Sequence, residues 1–267
     1  MRSLLPLLLA GCTAQAGIPG WSSGAAPAGG SGVTVTSDTY ANCVALTPSA
    51  EGDTCHPTDS PYTLLSRDGA TWVHRYPGIG ADVTPPPSTG WSWLNQGTAT
   101  ITTTGGMQVL AGPAETYNNG RIRYRARPSD PTVTPYYCEA GMRVNWWGTG
   151  GSGTGAVVVG FTDGTGNASI RSEGALTQVA RGADAGLSTI DAQVALVPPT
   201  TLCRRIEENG TVRKFYVGDC GSSWYQVGGD YGRTVTITAT SVLFGVGGHD
   251  ADLAQVVDLF HWECGSL

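Results

Sequence analysis

Residues 138–147 read Cys138-Glu139-Ala140-Gly141-Met142-Arg143-Val144-Asn145-Trp146-Trp147. Successive side chains of a strand point to opposite faces. Cys138, Ala140, Met142, Val144 and Trp146 therefore share one face, and Glu139, Arg143, Asn145 and Trp147 share the other. An apolar face backed by a polar one is the pattern of a half-buried strand in a layered β-fold.

Outward from this strand the same period recurs. Thr98–Thr104 is β-branched and alternating, and Arg121–Arg127 sets Ile122, Tyr124 and Ala126 against four arginines. Ala156–Phe161 runs into the turn Asp163-Gly164-Thr165-Gly166, and Leu202–Glu207 and Val212–Val217 flank Asn209-Gly210, the pair favoured in two-residue type I′ hairpins. Thr234–Thr240, Val242–Val246 and Val256–Glu263 complete the series, and no helical period appears after Trp91. Short alternating strands separated by turn residues predict an all-β chain whose C-terminal part, residues 91–267, is a jelly-roll sandwich.

Composition agrees. Of 267 residues only 13% are charged, against roughly 25% in an average soluble chain, and glycine supplies 39 positions and proline 16. Turns and strands suit such a chain; a helical bundle does not. A net charge of −6 and a pI near 5.1 leave no basic field for phosphates, which argues against nucleic-acid partners. A mean hydropathy of −0.08, with no long apolar run outside the N-terminus, argues against a membrane span.

Upstream of the sandwich three zones follow one another. Residues 1–39 are small, Gly/Ser/Ala-rich and nearly uncharged, the composition of an extended arm that a partner orders. Leu4, Leu7 and Trp21 are its candidate docking contacts. The opening MRSLLPLLLAGC also resembles a lipoprotein signal ending at Cys12, although its apolar run is short and interrupted by Pro6. Residues 40–83 form a small β-hairpin module around the turn Asp68-Gly69, with Trp72 packed beside it. Residues 84–90, with Pro85-Pro86-Pro87, read as a stiff spacer and domain boundary.

Seven cysteines stand at 12, 43, 55, 138, 203, 220 and 264. Without a CxxC pair, and with four histidines, they do not suggest a metal site, and no cofactor is expected. Cys43 and Cys55 bracket a short loop and could be bridged outside a reducing compartment. For Cys138, Cys203 and Cys264, buried thiols on strands are an equal reading.

Three segments carry a family resemblance. Trp91-Ser92-Trp93-Leu94-Asn95-Gln96-Gly97, Leu202–Glu207 and Gly218-Asp219-Cys220-Gly221-Ser222-Ser223-Trp224 together resemble the concanavalin-A-like (laminin-G-like) lectin domains of tailed-phage virion proteins. The likeness implies a virion protein on the particle exterior, homo-oligomeric, docked to other virion proteins through its arm and contacting a host-surface polysaccharide. Two alternatives stand beside it: a purely architectural virion subunit, and a bacterial surface lipoprotein with a carbohydrate-binding domain. Cys203 and Cys220 depart from the pattern.

Asp219, Gly221 and Trp224 also fit D-x-G-x-x-W, the turn of sialidase Asp boxes. In that turn the carboxylate caps backbone N–H groups, Gly takes positive φ and Trp packs beneath. That role is structural. No E-x-D-x-E carboxylate triplet and no G-x-S-x-G nucleophile occur, so no catalytic residue is assigned. Glu207 and Glu208 read as solvated, and His249 and His261 lack an obvious partner. The best candidate for ligand contact is the outward row Arg143, Asn145 and Trp147: an indole covers a sugar face while Arg and Asn supply directed hydrogen bonds.

Overall fold

The computed structural model describes residues 33–112, 122–127, 134–147, 155–173, 176–182, 189–195, 201–221, 223–232, 239–248 and 255–267. Leu4, Leu7 and Trp21, and with them the arm's contacts, lie outside this set. So does nearly all of Thr234–Thr240.

The chain from Val33 to Leu267 forms one compact unit built from three sheets. The first holds β1 (Val35–Asp38), β2 (Thr54–Pro57), β3 (Thr63–Ser66), β4 (Trp72–Arg75) and β5 (Asp82–Val83) in sequential order. A one-turn helix, α1 (Tyr40–Ala45), follows β1; the Thr39 side chain caps it by accepting the Asn42 N–H. Nothing in the periodicity of so short a segment announces this helix.

The remaining strands are β6 (Ser92–Leu94), β7 (Thr100–Thr104), β8 (Met107–Gly112), β9 (Ile122–Arg127), β10 (Tyr136–Trp147), β11 (Gly155–Thr162) and β12 (Asn167–Glu173). After them come β13 (Leu176–Gly182), β14 (Thr189–Val194), β15 (Thr201–Glu208), β16 (Val212–Gly218), β17 (Trp224–Gln226), β18 (Tyr231–Gly232), β19 (Ser241–Gly248) and β20 (Gln255–Ser266). An eight-stranded sheet runs β17-β16-β15-β10-β20-β8-β7, with β18 also on β16; a seven-stranded sheet runs β14-β13-β12-β11-β19-β9-β6. Their facing sides form one core. Cys138, Ala140, Met142, Ile206, Phe215, Val257 and Leu259 from the first sheet meet Val157, Val159, Phe161, Ile170 and Phe244 from the second. The sandwich and the strand pattern that predicted it agree.

The register of β9 sets Arg123, Arg125 and Arg127 opposite Val246, Phe244 and Val242, which belong to the core. The side chains of β9 are outside the described set.

The Asp68 turn forms as expected. Its carboxylate accepts the N–H groups of Ala70 and Thr71 at 2.9 and 2.8 Å, Gly69 has φ +70°, and Trp72 Nε1 donates to the Leu46 carbonyl at 2.7 Å. The 209–210 hairpin also forms, with a different turn. Type I′ needs positive φ at both central residues, and only Gly210 has it. Asn209 instead accepts the N–H groups of Thr211 and Val212 through its side chain, both at 2.9 Å.

The proline stretch is a strap rather than a free spacer. On one edge, β20 pairs with β8 only from Gln255 to Leu259. Beyond that point the edge would leave ladder groups unmet, and Thr84 fills in: Trp262 N–H donates to the Thr84 carbonyl at 2.9 Å, and Thr84 N–H donates to His261 Nδ1 at 2.8 Å. Pro86 is buried, and the Pro87 carbonyl accepts from Trp91 Nε1 and Gln108 Nε2.

The small module consequently shares a second core with the outer face of the eight-stranded sheet. Tyr62, Leu64, Tyr76 and Val83 pack there with Met107, Phe260 and the Cys203–Cys220 bridge. Tyr40 lies across Gly106 and Ser60 against Gly105, in the β7–β8 turn; with φ of +79° and +52° and no room for a Cβ, both positions require glycine.

All six described cysteines are bridged: Cys43–Cys55, Cys138–Cys264 and Cys203–Cys220. Buried thiols were the competing reading for the strand cysteines. Pairing of β10 with β20 puts Cys138 directly opposite Cys264, which a linear reading cannot see.

Candidate functional site

The outer face of the eight-stranded sheet carries the polar side of β10. Where Gly141 pairs with His261 and Met142 with Leu259, the extra residue Phe260 forms a β-bulge. The bulge turns Phe260 outward beneath Tyr76 of the module, and the covered strip splits the face into two polar patches.

The first patch contains Arg143 and Asn145, two of the three predicted ligand residues. Arg143 pairs directly across from Asp258 of β20, and both Arg143 and Asn145 are exposed. Burial raises the Asp258 carboxyl above its usual range; a hydrogen bond from Asn145 and the charge of Arg143 partly oppose this. The Tyr76 hydroxyl sits beside Arg143 and raises the guanidinium pKa. The exposed Arg143 and Asn145 can each donate to a sugar hydroxyl, and the Asp258 carboxyl, 7% exposed beside them, holds Asn145 in place by accepting its hydrogen bond. The backbone of Trp147 pairs with Gln255, on the same strands; its side chain is outside the described set.

Asp258 and Tyr76 were not singled out from sequence. Asp258 is the polar break in Val256-Val257-Asp258-Leu259-Phe260, and its outward position was a usable signal until the bulge at Phe260 spoiled the alternation.

The second patch centres on Arg205. Its guanidinium donates to Glu139 at 2.6 Å and to Glu207 at 2.8 Å, and it stacks over the Tyr137 ring at 4.1 Å. Tyr216 donates to the second Glu207 oxygen at 2.9 Å, Tyr137 to Glu263 at 2.9 Å, and Thr84 Oγ1 to the other Glu263 oxygen at 2.9 Å. Burial, reinforced by Glu207, pushes the Tyr216 hydroxyl up to about 12. For Arg205 burial works the other way, and its two carboxylate partners outweigh it, leaving the guanidinium raised.

Two sequence expectations are corrected here. His261 has a partner on one ring nitrogen: Nδ1 accepts from Thr84 N–H, while Nε2, buried without a hydrogen bond, lies 3.6 Å from Glu139 Oε2. Glu207 and Glu208 point to opposite faces as neighbours on a strand must, but neither is freely solvated. Glu207 is held by Arg205 and Tyr216, and Glu208 lies in the core, paired with Arg213 at 2.8 Å.

The Asp219 turn matches expectation in two of three parts. The carboxylate accepts Gly221 N–H at 3.0 Å and Ser223 N–H at 3.3 Å, and Trp224 packs on Gly218 where a Cβ would strike its ring. The positive φ falls on Cys220, at 62°, the residue bridged to Cys203, and not on Gly221. At Gly221 a Cβ would approach the Ala81 methyl at 3.1 Å, a tight contact.

Among the described residues, no group of three or more His, Cys, Asp or Glu is arranged to hold a metal, and no helix is long and apolar enough to cross a membrane.

No protein-family model matches the chain, and no curated protein matches it. Solved structures resemble its fold. A functionally unknown protein from Saccharomyces cerevisiae aligns with a TM-score of 0.46 and 13% identity, over 67% of this chain and 97% of that one. The carbohydrate-binding module CBM66 from Bacillus subtilis aligns at 0.42 and 15%, over 67% and 96%. The exoplasmic/lumenal domain of VIP36, in a Ca2+/Man3GlcNAc-bound form, aligns at 0.41 and 9%, over 67% and 86%. The two facing sheets of this chain define a β-sandwich. Likeness at this level says nothing about what the chain binds.

Proposed function

We propose that this chain is a non-catalytic carbohydrate-binding protein that folds in an oxidising compartment and works at a cell surface. The observation that carries the binding role is the pair of exposed side chains Arg143 and Asn145 flanking the largely buried Asp258 carboxyl on the outer face of β10 and β20. The carboxylates of the neighbouring patch support a role without turnover. Glu139, Glu207 and Glu263 are each tied to Arg205, a tyrosine or Thr84, whereas glycoside hydrolysis needs two carboxyl groups facing a scissile bond.

The three bridges support the compartment. Cys138, Cys203, Cys43 and Cys55 have no exposed surface, so their bonds have to close while the chain is still folding. Export before folding meets that need. It favours the surface-lipoprotein setting, with Leu9-Ala10-Gly11-Cys12 as the lipidation signal and Cys12 the one cysteine left over from the three bridges. The virion setting rests on turn motifs that serve structural roles in this fold.

The test is glycan-array binding by the oxidised protein, displayed as a monomer and on multivalent beads. Multivalent display should raise apparent affinity ~10²–10⁴-fold over a single site. Arg143→Ala and Asp258→Asn should each weaken binding without changing the melting temperature. Absence of binding in the multivalent format would overturn the carbohydrate reading. Release of reducing ends would overturn the non-catalytic one. An intact mass showing an unlipidated Cys12 after export in a bacterial host would return the virion setting to the front.

A further inference from the structure

Residues of β12, β13 and β14 in one sheet and of β16 and β18 in the other line a common space. A pocket of about 90 Å³ lies between them. Ala168 and Val179 form one wall, and Phe215 and Tyr231 the other, their rings 5.7 Å apart and edge to face. Arg213 forms the floor, with its guanidinium 5.0 Å from the Phe161 ring and its Nε held 2.8 Å from Glu208.

At the mouth, Arg181 Nε bonds Asp191 Oδ1 at 2.9 Å, both side chains partly open to solvent. Asp191 reaches this position through a bulge: Val179 pairs with Ala192 and Ala180 with Ile190, so residue 191 is extra and turns towards Arg181.

The chemistry is specific. Both guanidinium groups of the lining are paired with carboxylates, Arg181 with Asp191 at the mouth and Arg213 with Glu208 in the core, so the charges balance, which disfavours a ligand with a fixed charge. Donors and acceptors are both present within reach of the same space, and an aromatic wall stands beside them. A neutral group with several hydroxyls and one C–H face fits that combination. The volume limits how much of it enters. A single water needs about 10–15 Å³ of such space, so the pocket has room for several waters or for part of one sugar ring.

We infer that this lateral pocket takes the terminal residue of a glycan, and so gives the protein selectivity for chain ends. The inference rests on the carbohydrate reading above but uses a different site, on the side of the sandwich and not on the outer face of β10.

The experiment uses ligand-observed saturation-transfer NMR on the full oxidised chain, with the methyl glycosides of glucose, mannose, galactose and fructose as probes. At least one should show transfer. Ala168→Leu, which fills the pocket, should abolish it. Arg181→Ala, at the partly exposed mouth, should weaken it about tenfold, the order expected for one charge-assisted hydrogen bond, and serves if the filled variant does not fold. Arg67→Ala, on the exposed side of the small module, should leave it unchanged. No transfer from any of the four probes, or transfer of undiminished affinity in a folded Arg181→Ala, overturns the inference. Polysaccharide binding that survives both pocket variants but falls with Arg143→Ala overturns the end-group site alone and leaves the outer-face reading standing.

Discussion

Tyr76 lies face to face with Phe260, ring centroids 3.9 Å apart and planes 12° from parallel, while the Tyr62 hydroxyl donates to the Phe260 carbonyl. A residue from the bulge of β20 is thereby held by two tyrosines from the small module. Phe260 is fully buried only because the module is there. Removing residues 33–89 should therefore leave a sandwich that aggregates, with Phe260 and Met107 exposed. In the full chain, Phe260→Ala should cost ~3–5 kcal/mol. Thermal unfolding and size-exclusion chromatography check both, and a monomeric, cooperatively melting 90–267 fragment would show that the strap is dispensable.

Acid should loosen the small module first. Asp53 accepts N–H bonds from Thr34, Ser49 and Ala50, and Asp68 from Ala70 and Thr71; these bonds hold both carboxyls down to about 2. In an unfolded chain the value is ~3.9. The folded pKa is the lower one, so the contribution is fully present above about 4 and is lost as pH falls through about 2. Asp53→Asn should lower the melting temperature at pH 7 and make little difference at pH 2. Equal destabilisation at both pH values would contradict the assignment.

Reduction should destabilise the sandwich through one bond above the others. Cys138–Cys264 closes a separation of 126 residues, against 12 for Cys43–Cys55 and 17 for Cys203–Cys220. In the chain-entropy account, a loop of about 100 residues contributes ~4.7 kcal/mol and one of about 15 residues ~3 kcal/mol. The double variant Cys138→Ala/Cys264→Ala should show the largest fall in denaturant midpoint of the three matched pairs. Six cysteines should resist alkylation until a reductant is added.

The core pair Glu208–Arg213, 1% and 2% exposed, should behave asymmetrically. Glu208→Ala leaves the guanidinium in the core without its carboxylate, at a cost of ~3–5 kcal/mol. Replacing both by leucine should recover most of that loss. Chemical denaturation of the single and double variants measures the difference, and a double variant worse than the single would mean the pair is needed for packing.

Much of the outer-face patch was legible because it depends on alternation alone. Arg143 and Asn145 are outward because Met142 and Val144 are inward. Asp258 was hidden because the Phe260 bulge adds a residue to β20 and puts two consecutive side chains on one face. His261 and Glu208 were misread for a different reason: their partners, Thr84 and Arg213, are supplied by strand pairing and by the strap, and polarity alone says nothing about pairing.

By itself the sequence determined the local events: the period-2 strands, the Asp68, Asp163 and Asp219 turns in which a carboxylate caps the N–H groups just beyond it, and the inward and outward sets on β10. Each depends on residues a few positions apart, where backbone geometry dictates which groups meet. Tertiary structure alone decided which cysteines pair, where the proline strap lies, and that the small module closes over Phe260. Those outcomes depend on partners 100 residues or more away for Cys138–Cys264, Thr84–His261 and Tyr62–Phe260. At such separations contact is set by sheet register and by the burial of exposed apolar surface, which no local pattern encodes.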